Sequence, residues 1–337
     1  MSRVTADDAE REHCTIPMPP GVLSKIVEIA NAFIIETFRK RDRVALMIED
    51  ETGDATCRHR CATCIDRKQQ ACGSVCGVKF AKDDIVANVR PAWLTHEFHA
   101  EAMTIANAEF DSGISRLWHE KNLPPALADY VTLIRSFNTG VADGGLHHYP
   151  GSSRIALARL RVIDRMRLFE LHPSESQTLQ RFYAGQSRQV QQQVQVRAMD
   201  GFDALRSVLP PAPRRAAVLI DPSYEDKNDY VRVRSTLADA MQRFATGVNL
   251  LWYPLVQRRE PRQMIDALKK QFPQDWLHVT LTVKAPAEDG YGLHGSGLFV
   301  LNPPWTLPGM LKTTLPVLGR LLAQDAQAGW SLVGEMK

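Results

Sequence analysis

Asp221, Pro222, Ser223 and Tyr224 follow directly on an apolar run, Ala216-Ala217-Val218-Leu219-Ile220, that reads as a buried strand. An acid, a proline and an aromatic at the tip of such a strand suit chemistry on a flat base with an exocyclic amine. The acid can accept a hydrogen bond from the amine. The proline fixes the backbone and leaves its neighbours' carbonyls to point inward. The tyrosine offers a ring on which an extruded base can stack. The same residues also read as an ordinary Asp-Pro turn with Tyr224 as local packing. Two more carboxylates, Glu170 and Asp200, close other apolar runs upstream, and Gly201 follows Asp200.

A second constellation is a cysteine cluster. Cys57, Cys61, Cys64, Cys72 and Cys76 have the spacing C-x3-C-x2-C-x7-C-x3-C, with His59 among them. Thiolates this close can satisfy tetrahedral zinc, and Cys61-x2-Cys64 is a separation used in zinc knuckles. An iron–sulfur cluster takes similar ligands. A loop of free thiols is the other reading. A bound metal would fold a segment with little apolar core, and Arg58, Arg60, Arg67 and Lys68 beside it could touch RNA phosphate.

The elements that must position these groups alternate. Residues 1–20 read as a mobile leader, Val22 to Arg41 as a helix, and Val44 to Ile48 as a short buried strand. Residues 54–149 read as an insertion, Cys-rich first and then helical from about 95 to 138. Residues 21–53 and 150–337 form the core. Ser152 is expected to cap a helix running to about Ile163. Strands follow at 166–171, 194–196, 216–220, 248–253 and 277–283, with 297–301 as the last, and helices lie between most of them. This alternation predicts an α/β fold, a mainly parallel sheet with helices on both faces. Ligands of such sheets bind beyond the carboxyl ends of the strands, where Glu170, Asp200 and Asp221 are expected.

The chain of 337 residues is 44% hydrophobic with a net charge of +3. That permits a nucleic-acid partner without requiring one. No run reaches the length of a transmembrane helix, and the charged first residues lack the apolar core of a secretory signal. A cytoplasmic protein, with thiols free or metal-bound, is the expectation.

Several motifs occur in fixed order: Tyr149-Pro150-Gly151-Ser152, Glu170-Leu171-His172-Pro173, Asp200-Gly201-Phe202, Asp221-Pro222-Ser223-Tyr224, Arg243-Phe244-Ala245-Thr246-Gly247, Leu251-Trp252-Tyr253-Pro254 and Asn302-Pro303-Pro304-Trp305. The Asp221 motif resembles the Asp-Pro-Pro-Tyr signature of amino-group methyltransferases, with Ser223 in place of the second proline. Together the motifs resemble the RlmJ family, which methylates the N6 amine of an adenine in large-subunit ribosomal RNA. The resemblance runs from about Asn107 to the C-terminus, is weaker over 22–57, and is absent at 1–20 and 58–95. It implies a Rossmann-like class I methyltransferase sheet, S-adenosylmethionine as cofactor, ribosomal RNA as partner and a monomer. By the same resemblance Ser152 would sit near the methionine part of the cofactor and Glu170 at the ribose. Asp200 with Gly201 would meet the adenine. Asp221, with Pro222 and Tyr224, would hold the target amine and base. Lys25, Glu49, Gly53 and Asp221 complete the implied cofactor set.

The resemblance breaks at the first loop. The family's strand ends in an acid followed by a Thr-His-Ala-Gly-Ala-Gly-like turn, whereas this chain reads Glu49-Asp50-Glu51-Thr52-Gly53. Three carboxylates there would repel the cofactor's own carboxylate. The family's Lys-His becomes Ser24-Lys25. Three readings stay open: a methyltransferase with altered cofactor binding, a degenerate member that binds RNA or assists ribosome assembly, and a DNA amine methyltransferase.

Overall fold

The structure, a computed structural model, describes residues 44–49, 112–139, 145–146, 148–290 and 292–336. Lys25, Gly53 and Cys57, Cys61, Cys64, Cys72 and Cys76 lie outside these residues. In chain order the elements are β1 (Val44–Glu49), α1 (Ser115–Trp118), α2 (Pro125–Ser136), α3 (Ser152–Leu157), β2 (Arg165–Glu170), α4 (Pro173–Ala184), α5 (Arg188–Gln193), β3 (Val194–Ala198), α6 (Gly201–Val208), β4 (Ala216–Asp221), α7 (Asn228–Arg243), β5 (Val248–Leu255), α8 (Arg259–Gln271), β6 (Trp276–Thr282), β7 (Gly295–Leu301), α9 (Leu307–Leu321) and β8 (Gly329–Glu335).

The eight strands form one sheet in the order β3-β2-β1-β4-β5-β7-β6-β8. It is mixed, not mainly parallel. Only β2–β3 and β4–β5 are parallel neighbours. The other five pairings are antiparallel. From β2 onward, strands joined through helices share a direction, as crossover connections require. The reversals enter where that rule has no hold. Strand β7 follows β6 through a loop and inserts between β5 and β6. Strand β1 runs against both its neighbours, and its apolar run Val44-Ala45-Leu46-Met47-Ile48 reads much the same in either direction. Strand β8 and helix α9 extend the sheet beyond the strand expected to be last.

Helices cover both faces. Alternation along β4 divides its side chains, Ala217 and Leu219 to one core, Ala216, Val218 and Ile220 to the other. Leu127, Tyr130 and Ile134 of α2, Ile155 of α3, and Leu311, Leu315 and Leu318 of α9 fill the first core. Leu205 of α6, Val233 and Leu237 of α7, and Met264, Ile265 and Leu268 of α8 fill the second. On α7 the buried set Tyr230, Val233, Leu237 and Ala240 keeps helical spacing.

Helix α3 stops at Leu157, short of the expected Ile163, and Gly151 rather than Ser152 is its cap. A turn follows at 161–164, where Asp164, 2% exposed, accepts from the Arg161 backbone at 2.8 Å and pairs with the Arg161 guanidinium at 2.6 Å. Gln193 is buried, and its amide donates to the Arg161 carbonyl at 2.6 Å.

Strand β7 is crossed by a side chain. Tyr253 on β5 lies over Gly297 of β7 and reaches His278 of β6, with Oη 2.8 Å from Nε2. Burial, reinforced by the Lys269 charge, pushes the His278 imidazole down from 6.5 to about 4. The folded protein thus keeps it neutral where the unfolded chain already binds a proton. Stability is whole above about pH 6.5 and falls as pH drops toward about 4. Denaturant titrations across this window should show a loss approaching about 3 kcal/mol. His278→Gln should flatten that part of the profile.

Candidate active site

The carboxyl ends of β2 to β6 lie along one edge of the sheet, with the starting ends of β1, β7 and β8. A shallow crevice, open to solvent, lies at this edge. Asp200, Gly201, Phe202 and Leu205 line one side, Ile220, Asp221, Pro222 and Ser223 the other, with Leu171, Asp229 and Arg232. Asp200 opens α6 as its cap, with Oδ1 accepting from the Phe202 backbone N–H at 2.9 Å. Its Oδ2 accepts from Arg232 Nη2 at 2.7 Å. The Arg232 guanidinium lies 4.5 Å from the Phe202 ring centroid.

Asp221 ends β4, and Pro222 and Ser223 carry the chain out at the crevice. Tyr224 turns the other way. Its backbone is left-handed, with φ at 54°. Its ring is 3% exposed, 4.6 Å from that of Tyr230, and its hydroxyl donates to the Trp252 carbonyl at 2.8 Å. Burial first, then the Asp221 charge, hold this hydroxyl protonated well above the usual tyrosine range. Tyr224 thus lies buried beneath the turn, tied to β5 through the Trp252 carbonyl.

The structure thus brings Asp200, Gly201, Asp221 and Pro222 together. Glu170 is close by at the end of β2 but 1% exposed, and its Oε1 accepts from the His172 N–H at 2.7 Å, leaving Leu171 to line the crevice. Ser152, in the first turn of α3, is not among the lining residues. Glu49 pairs with Arg165 and Ala216, at the opposite edge of the sheet from Glu170 and Asp221. Because β1 is reversed, it is Val44 that lies between those two acids.

Other motifs serve as scaffold. Asn302 Nδ2 donates to the carbonyls of Ala245 and Gly247 at 2.7 and 2.8 Å, so Asn302-Pro303 and Phe244–Gly247 form one clamp at the far edge. The Asn138 side chain bonds the His148 carbonyl and N–H at 2.8 and 2.7 Å, and Tyr130 is hydrogen-bonded to Tyr149, fixing the approach to α3.

A family model described as Ribosomal RNA large subunit methyltransferase D, RlmJ, matches residues 96–334. The chain belongs to the RlmJ family. Ribosomal RNA large subunit methyltransferase J of Escherichia coli is 40% identical over 220 residues, 65% of this chain and 74% of that protein. The protein of the same name from Haemophilus influenzae is 37% identical over 224 residues, 66% and 77% of the two chains. A crystal structure of a Legionella pneumophila protein superposes with a TM-score of 0.61 at 28% identity, covering 68% of this chain and 83% of the other. RlmJ members are large-subunit ribosomal RNA methyltransferases, a family that depends on S-adenosylmethionine, and the fold described above is of this α/β kind.

The RlmJ crevice of this chain carries charge that sequence reading missed. Asp229 and Arg232 both sit on α7, one turn apart, and face the site. Their helical spacing was legible, but the pairing of Arg232 with Asp200 joins positions 32 residues apart and is set by how α6 packs on α7. Among the described residues no group of three or more His, Cys, Asp or Glu could hold a metal. No helix among them is long and apolar enough to cross a membrane.

Proposed function

We propose that this chain transfers a methyl group from S-adenosylmethionine to the N6 amine of an adenine in large-subunit ribosomal RNA. The observation that carries the reading is the convergence of Asp200-Gly201 and Asp221-Pro222 on one crevice beyond the carboxyl ends of β3 and β4. Its lining holds three carboxylates, Asp200, Asp221 and Asp229, against one guanidinium, Arg232. That balance of charge suits a sulfonium cation.

The cofactor supplies an electrophilic methyl group on sulfur. Asp200 accepts a hydrogen bond from the adenine amine of that cofactor, and Gly201 lets the backbone approach. Asp221 would accept from an N–H of the target amine and turn its lone pair toward the methyl group; as the N–C bond forms the S–C bond breaks, S-adenosylhomocysteine leaves, and the methylated amine, now acidic, loses a proton to water. Alignment supplies most of the rate enhancement, and Pro222 fixes the carbonyl geometry of the turn. Glu170 supports the ribose side through the Leu171 loop, with Ser152, Lys25 and Gly53 completing the cofactor surroundings. In the same reading Cys57, Cys61, Cys64, Cys72 and Cys76 would hold a structural zinc that takes no part in the chemistry.

Calorimetry of S-adenosylmethionine binding to wild type and Asp200→Ala tests this first. Wild type should bind, and the variant should lose at least about tenfold in affinity, the worth of a charge-assisted hydrogen bond. Methylated ribosomal RNA, digested to nucleosides, should then contain N6-methyladenosine. A folded wild type that neither binds cofactor nor methylates would replace this reading by a member that binds RNA without catalysis. The place of Glu49, at the far edge from Asp221, is the observation on that side.

A further inference from the structure

The carboxylate assigned to the cofactor's adenine is already engaged. Asp200 Oδ1 is held by the Phe202 N–H and Oδ2 by Arg232, so both oxygens carry a donor. The Phe202 bond is part of the helix start and survives ligand binding. The Arg232 bond is a different kind of contact. It crosses from α7 to α6, and the Arg232 side chain is 40% exposed at the mouth of the crevice. Its charged donor is stronger than a neutral amine, yet an exposed ion pair is weak in net terms and screened by salt.

We infer that Arg232 is a latch on the cofactor subsite, one that competes with the adenine amine for Asp200 Oδ2 and weakens that acceptor while it stays paired. The inference rests on the role proposed for Asp200. The Phe202 ring keeps the guanidinium parked at 4.5 Å from its centroid, over the lip of the crevice. A long side chain with this exposure has room to leave. Arg232 thereby sets affinity through Asp200 and is a positioning residue, not a catalytic one.

Removing the charge while keeping the chain length isolates the latch. Arg232→Met retains contact with Phe202 and leaves Asp200 capping α6. S-adenosylhomocysteine titrated calorimetrically into the full chain should bind Arg232→Met about two- to fivefold more tightly than wild type, the usual worth of an exposed ion pair. Wild-type affinity should also rise between about 50 mM and 500 mM salt, because screening loosens the competitor, and Arg232→Met should lack that rise. A structural role alone would not produce the salt signature. Equal or weaker binding by Arg232→Met, or wild-type affinity that is flat or falls with salt, overturns the latch. The wild-type salt series decides the matter even if the variant does not fold. Loss of binding in Asp200→Ala with no effect of Arg232→Met would leave the proposed function standing and remove only the latch.

Discussion

Asp221→Ala is expected to lower the single-turnover rate of methyl transfer to ribosomal RNA by about 10²- to 10³-fold, the scale of losing one preorganised polar group at a reacting centre. The carboxylate is the only titratable group on the turn Asp221-Pro222-Ser223 that lines the crevice. Without it the target amine is free to rotate its lone pair away from the methyl donor. RNA affinity should stay within about twofold, because most of it comes from backbone phosphate contacts elsewhere. A filter-binding assay and a quenched methylation time course separate the two quantities. A rate within about tenfold of wild type would show that Asp221 does not orient the amine.

Gly297→Ala should destabilise the sheet through a clash with a single buried side chain. A Cβ at Gly297 would fall among the ring atoms and hydroxyl of Tyr253. Tyr253 is 3% exposed and lies 2.8 Å from His278 through its hydroxyl, so the ring has nowhere to retreat. Overpacking of this kind costs about 1–3 kcal/mol or more, and a thermal melt should drop by about 3–10 °C for a domain of this size. The same substitution in a Tyr253→Leu background should cost much less, since the shorter side chain does not reach over Gly297. Additive losses in that double-mutant cycle would refute the crossing as the cause.

The fold was legible wherever apolar periodicity met a helical crossover. Strands β2 to β6 and the helices between them follow from that pattern, and so do the ends that carry Asp200 and Asp221. Strand direction was not legible where periodicity is silent. Nothing in Val44–Ile48 distinguishes the two senses, and the loop from β6 to β7 gives no sign that β7 will insert beside β5. The site was legible in its acids, because a carboxylate after an apolar run is a local signal. Its cation was not, because Arg232 meets Asp200 only through the packing of two helices. The setting of Tyr224 was not legible either. Its residue type was right for an aromatic platform, yet its left-handed backbone sends the ring inward, and φ cannot be read from a side chain.

That inward tyrosine has a consequence for recognition. The turn holding Asp221 is tied to β5 through the Trp252 carbonyl and packed on Tyr230. Its order is inherited from the hydrophobic interior and exists before any nucleotide arrives. In the proposed reading an incoming base would meet an acceptor already in place, and little of its binding free energy would be diverted to freezing protein motion. The entropy of arranging the acceptor is settled during folding, once per molecule rather than once per turnover. Ser223 can then stand where relatives of the Asp-Pro-Pro-Tyr type have a second proline, since rigidity comes from the anchor beneath the turn instead of from the ring within it.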